Sequence, residues 1–181
     1  PRYYMPRREG GKTKIDEERK PEDGRALCSY GDPGLGETLR EQYEREGNYG
    51  DDVVNAAVSH VRDEWAPDPL PAWVTAVPSF SGDGRVEDLA ARIAAGLGVP
   101  YVPALAKVEA TAPPEELKNS YQKRWDVEGV FELRGELRDG PVLLVDELVD
   151  TRWTLTEAGM TLRDADSDTV YPFALAKRTR W

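Results

Sequence analysis

Hydrophobic and polar positions change their rhythm twice along the chain. Over residues 1–26 no period repeats. From Glu37 to Trp65 the spacing is helical. Glu37–Glu46 reads as a short polar helix, and Asp51–Trp65 sets Val54, Ala57, Val58, Val61 and Trp65 on one face. From Trp73 onward, short apolar runs alternate with helical stripes. Trp73–Val77 reads as a strand, and Val86, Leu89, Ala90, Ile93, Ala94 and Leu97 trace a helix closed by Gly98. Val99–Leu105 reads as a second strand, limited or held near an edge by Pro100 and Pro103. Phe131–Leu137 suits a strand or hairpin arm, and Thr169–Leu175 a last strand in which Pro172 points to an edge or a bulge. Strands alternating with helices predict an α/β fold, a mostly parallel sheet flanked by helices, preceded by N-terminal helices and an irregular basic arm. The expected organisation is an arm or linker over 1–26 and one domain over 27–181. Within it, 27–71 is helical and 72–181 is the α/β core.

The most informative stretch is Val142–Leu155, VLLVDELVDTRWTL. Four apolar residues, Val142–Val145, predict a strand buried on both faces. They run straight into Asp146 and Glu147. Thr154 with Glu157 three residues later is the pattern of a capping box, so a helix is expected to open at Thr154 and to bury Leu155, Ala158 and Leu162. A strand, an acidic turn and a helix N-terminus together suit a phosphorylated ligand. Backbone N–H groups and the helix dipole favour the anion, while the carboxylates accept from sugar hydroxyls or hold Mg²⁺ water. Ligands in parallel α/β sheets bind outside the carboxyl ends of the strands, where the loops after Val77 and after Val145 are both expected.

Composition narrows the classes. At 181 residues with 39% hydrophobic and 32% charged positions, the chain is long enough for one core, and it has no run long enough to span a membrane. One cysteine, Cys28, excludes an internal disulfide, and no signal peptide is visible; both fit a cytoplasmic location. The single histidine, His60, lies off the apolar stripe and is expected on the surface. The net charge of −10 is uneven: Arg2, Arg7, Arg8, Lys12, Lys14, Arg19 and Lys20 crowd the first twenty residues. An acidic body excludes broad nucleic-acid binding, whereas the basic arm is either a solvated linker or a contact to DNA or a neighbouring domain. Gly31–Gly36 (GDPGLG) resembles a phosphate loop, but no strand is expected before it and turns explain it better.

The stretch VLLVDELVDTRWT resembles the ribose-phosphate-binding signature of type I phosphoribosyltransferases, a glycosyltransferase class. The resemblance implies that Asp146 and Glu147 bind the ribose hydroxyls of phosphoribosyl pyrophosphate (PRPP) and meet Mg²⁺ indirectly. It implies that Asp150, Thr151, Arg152, Trp153 and Thr154 surround the 5-phosphate, and that Pro78-Ser79-Phe80 is the pyrophosphate loop. Asp150 matches the position of a base toward the acceptor nitrogen; as a bare residue it serves equally as a turn cap. Thr111-Ala112-Pro113-Pro114 and Arg124–Phe131 are similar to the mobile loop of the ComF-like branch, where Lys107 and Arg124 would contact pyrophosphate. RYYMP, GRALCSYGDPGLG and VDTRWTLTEAG resemble the phosphoribosyltransferase-like module at the C-terminus of some bacterial RecQ-type DNA helicases. A start at Pro1 rather than Met fits an excised accessory domain of that kind. Where the family has glycine this chain has Arg152. Its guanidinium either meets the anion or fills the pocket together with Trp153. Three functions follow: an active transferase, a ligand sensor without turnover, or an interaction module with an occluded site. The acceptor and the oligomeric state are left open.

Overall fold

The computed structural model describes residues 4–6, 12–45, 47–79, 82–108 and 129–178. In chain order its elements are β1 (Tyr4–Pro6), β2 (Lys12–Lys14), β3 (Arg25–Ser29), α1 (Leu35–Tyr43), α2 (Asp51–Ser59), β4 (Trp73–Ala76), α3 (Arg85–Leu97), β5 (Leu105–Lys107), β6 (Phe131–Leu133), β7 (Val142–Val149), α4 (Trp153–Arg163) and β8 (Val170–Lys177). A 3-10 turn, Glu17–Arg19, follows β2, and a π-helical turn, His60–Trp65, prolongs α2.

Side chains alternate across a strand, so a run that is apolar at every position is stable only between two covered faces. β7 meets that condition. Leu143 and Val145 enter one cluster with Val53, Ala57 and Val61 from the α2 side and Leu89 and Ile93 of α3. Val142 and Leu144 enter the other with Trp73, Leu155, Ala158 and Leu162. All four β7 side chains are fully buried, at about 1.5–3 kcal/mol each relative to exposure. The main sheet runs β3-β8-β7-β4, with every neighbouring pair parallel. α2 and α3 cover one face; α4 and the antiparallel β5–β6 pair cover the other. The α/β architecture read from the sequence is the observed one. α3 carries its expected stripe, and Gly98 closes it in the left-handed conformation, φ 73°. No helix among the described residues is long and apolar enough to cross a membrane.

Four local expectations change. The stretch 99–105 is not one strand: Tyr101 makes an isolated parallel bridge to Val74, and the chain then turns into β5. Pro172 is not at an edge, because β8 lies between β3 and β7. Its missing N–H faces the β3 side, where Val170 O accepts from Glu22 N and β3 has not yet begun opposite Pro172. His60 is half-buried, its Nδ1 2.8 Å from Glu64 Oε2 and its ring against Phe173.

The fourth change concerns the N-terminus. Within the first 26 residues lie the β1–β2 pair and the start of β3, which is the sheet's edge strand. Ile15 is buried, Arg19 pairs with Asp164, and Arg163 Nε donates to Glu18 O at 2.9 Å. Gly159 of α4 lies so close to Pro21 that a Cβ would stand 2.8 Å from Pro21 Cγ. The division between 26 and 27 therefore cuts a strand. A Cβ on Gly24 would come within 2.5 Å of the Pro172 carbonyl oxygen. Gly24→Ala is expected to cost about 1–3 kcal/mol in urea unfolding; a change within about 0.5 kcal/mol, the ordinary range for a surface site, would show that β3 does not dock there.

Candidate functional site

The two acids of the central stretch do not follow the strand; they belong to it. β7 continues to Val149 because β8 accompanies it, with Asp146 opposite Ala174, Leu148 opposite Ala176 and Val149 opposite Lys177. The side chains change from fully buried at Val145 to half-buried from Asp146 on. Asp146 Oδ1 accepts the Glu147 amide at 2.8 Å. Glu147 turns toward the α2–α3 side, where Tyr49 Oη donates to its Oε1 at 3.1 Å and Arg85 Nε stands 3.6 Å from the same oxygen.

Beyond β7 the chain turns through Asp150 and Thr151 to Arg152, the N-cap of α4. Arg152 adopts φ 69°, ψ 0°, the left-handed conformation that glycine takes without strain. The loop thus keeps a glycine-like backbone while carrying an exposed guanidinium. No side chain caps α4 at this residue, and the helix opens at Trp153 rather than Thr154. The expected capping box is absent: Glu157 is buried and its Oε1 accepts from Gly129 N at 3.1 Å, while Thr156 Oγ1 donates to Arg152 O. Trp153 does not fill the loop. Its side chain, 4% exposed, is packed in the core with Leu155 and Phe131. The helix N-terminus at this loop carries the positive end of the α4 dipole, which favours an anion.

On the β3 side of this loop lies a cleft of about 460 Å³, within the size range of small-molecule sites. Ala26, Val149, Leu155 and Pro172 supply its apolar lining, and Asp23, Arg25, Asp150, Arg152 and Lys177 its charges. A second cleft, of about 470 Å³, is bordered by Glu44, Arg45, Asn48, Asp83 and Arg85. In the predicted pyrophosphate loop, Pro78 and Ser79 follow β4, and Asp83 Oδ1 accepts from Arg85 N at 3.1 Å. Lys107 ends β5, opposite Phe131. Phe80, Thr111–Pro114 and Arg124 lie outside the described residues. In the basic arm, Lys14 and Lys20 pair with Glu17 and Arg19 pairs with Asp164.

The site's electrostatics follow from burial. Desolvation pushes Asp146 up to about 7, aided by the neighbouring Glu147 and opposed by the Glu147 amide. Desolvation also raises Glu147, while the Tyr49 hydroxyl and Arg85 draw it down and Asp83 and Glu87 oppose them. Three residues at this edge escaped sequence reading: Tyr49, Arg85 and Lys177. Arg85 carried one signal, since a cation in the first turn of a helix is unfavourable unless an acid meets it. Tyr49 and Lys177 carried none, because only the fold brings them to β7.

No family model and no curated protein matches the chain. Among solved structures it is similar to an adenine phosphoribosyltransferase at 17% identity, covering 71% of each chain with a TM-score of 0.49. The enzyme from Leishmania donovani matches at 18% identity over 71% of this chain and 54% of that one, TM-score 0.46. That from Leishmania tarentolae matches at 11% over 87% and 94%, TM-score 0.49.

With its folded value near 7, Asp146 takes up a proton on folding between about pH 4 and 7. Its contribution to stability is full below that window and is lost as pH rises through it. Asp146→Asn retains the acceptor for the Glu147 amide but cannot ionise. It is expected to raise unfolding free energy by roughly 1–3 kcal/mol at pH 8 and to have little effect near pH 4. A destabilised variant at pH 8 in urea titrations would contradict this electrostatic reading.

Proposed function

We propose that this chain is a phosphoribosyltransferase-like domain that binds PRPP or a related ribose 5-phosphate ligand with Mg²⁺, as an accessory module of a DNA helicase. One observation carries the ligand reading: two half-buried acids directly after the four fully buried residues of β7 lead within a few residues to the N-terminus of α4. Paired acids in a desolvated setting have little structural benefit, and a helix N-terminus favours an anion. The sequence resemblance of VLLVDELVDTRWT supports the same assignment, and the resemblance of RYYMP, GRALCSYGDPGLG and VDTRWTLTEAG alone supports the helicase context.

In this reading Asp146 and Glu147 accept from the sugar hydroxyls. The loop from Asp150 to Thr154 surrounds the 5-phosphate, with Trp153 anchoring the helix through its buried ring. Among the described residues, no group of three or more His, Cys, Asp or Glu is placed to hold a metal ion. Asp146 and Glu147 would meet a Mg²⁺ ion carried on the ligand's phosphates only indirectly, through its water or the ribose. When bound, the ion supplies neutralisation of pyrophosphate charge. For a transferase, the acceptor would occupy the cleft that Asp150 lines, and Asp150 would take its proton. Binding without transfer is a second reading, favoured by Arg152, whose long side chain lines that cleft where glycine would leave room.

Calorimetry with PRPP and Mg²⁺, alongside ³¹P NMR for released pyrophosphate, tests these readings. The expected result is binding below about 1 mM, weakened about tenfold or more by Asp146→Asn. Pyrophosphate release on adding candidate acceptors would select the transferase. No heat at millimolar ligand would overturn the ligand reading and leave an interaction module.

A further inference from the structure

The sugar-binding acids are held unequally, and the way they are held defines what they can read. Each carboxylate has one oxygen engaged within the chain. Asp146 Oδ1 takes the Glu147 amide, and Glu147 Oε1 takes the Tyr49 hydroxyl and faces Arg85. Among the described residues no donor reaches Asp146 Oδ2 or Glu147 Oε2.

Tyr49 and Arg85 are themselves rigidly placed. Tyr49 is 2% exposed, and the Arg85 guanidinium lies 4.4 Å from its ring centroid, a cation–π distance. Arg85 also donates to Tyr43 O at 3.0 Å and to Gln42 O, the open carbonyls at the end of α1. With its side chain only 11% exposed, the guanidinium is held among these partners with Nε facing Glu147. Its Nε–H is buried with no hydrogen-bond partner at the 3.6 Å separation.

We infer that Tyr49 and Arg85 are positioning residues for a vicinal-diol site. By pinning Oε1 they fix the Glu147 rotamer and leave Oε2, with Asp146 Oδ2, as two preset acceptors for adjacent hydroxyls. The inference rests on the ribose-phosphate reading and deepens it. Discrimination between ribose and 2-deoxyribose phosphates depends on residues from the N-terminal half, whereas the phosphate contribution comes from the β7–α4 loop. A site that satisfies two hydroxyls rejects the analogue lacking one because an acceptor is then left unpaired.

The test uses Tyr49→Phe, which removes only the donor and keeps the ring under Arg85, and Arg85→Lys, which keeps the charge but loses the fork. In ligand-free protein, carboxyl ¹³C NMR is expected to show a higher Glu147 titration midpoint in Tyr49→Phe, because a donor to the ionised form is gone. An unmoved midpoint overturns the clamp whatever the ligand. In calorimetry, the native chain is expected to favour ribose 5-phosphate over 2-deoxyribose 5-phosphate about tenfold. Both variants should narrow that preference while binding the deoxy compound as the native chain does. A preference unchanged in both variants overturns the diol role. A native chain that binds neither sugar phosphate overturns the proposed function, and the titration still decides the clamp.

Discussion

The carboxyl edge of this sheet depends on the burial of β7 on both faces. Four consecutive apolar side chains tie the strand between the α2–α3 layer and the α4 layer, and the ladder with β8 carries it on past the apolar run. Asp146 and Glu147 are thereby held where water is scarce, and both titrate upward for that reason. The hydrophobic stabilisation of the preceding residues offsets the cost of placing acids there. A carboxylate in a low-dielectric setting makes a stronger interaction with a hydroxyl donor than it would in water.

Arg85 extends that constraint to the rest of the molecule. It closes the end of α1 through the Gln42 and Tyr43 carbonyls, covers the ring of Tyr49 and faces Glu147. The helical N-terminal half therefore does more than cover the sheet. On the other side of β7 a parallel arrangement holds: Trp153 is anchored in the second cluster and Glu157 is tied to Gly129, so packing positions the first turn of α4.

What could be read from the sequence follows the range of the interactions. β4, β7 and α3 were legible because their apolar positions keep one period, and the sheet follows from their alternation. β3 was not, because an edge strand with one exposed and four half-buried residues, RALCS, carries no period. The capping box at Thr154 and Glu157 failed for a different reason: a buried glutamate found a better donor in Gly129, far along the chain. The acids were legible as a candidate site, since their position after an apolar run is a local fact. Tyr49 lies 98 residues from its partner Glu147, and no local pattern announces such a pair. Arg152 was recognised as a departure from glycine, but only the structure shows that it keeps the left-handed backbone.

The central claim is that one ligand is gripped jointly by the end of β7 and the start of α4. Backbone amide NMR during titration with ribose 5-phosphate tests it most directly. The account predicts that the amides of Asp146, Glu147, Asp150, Thr151, Arg152 and Thr154 shift together along one saturating curve, while those of α2 and the β1–β2 pair stay in place. Shifts confined to other elements, or none at the β7–α4 junction at saturating ligand, would contradict it.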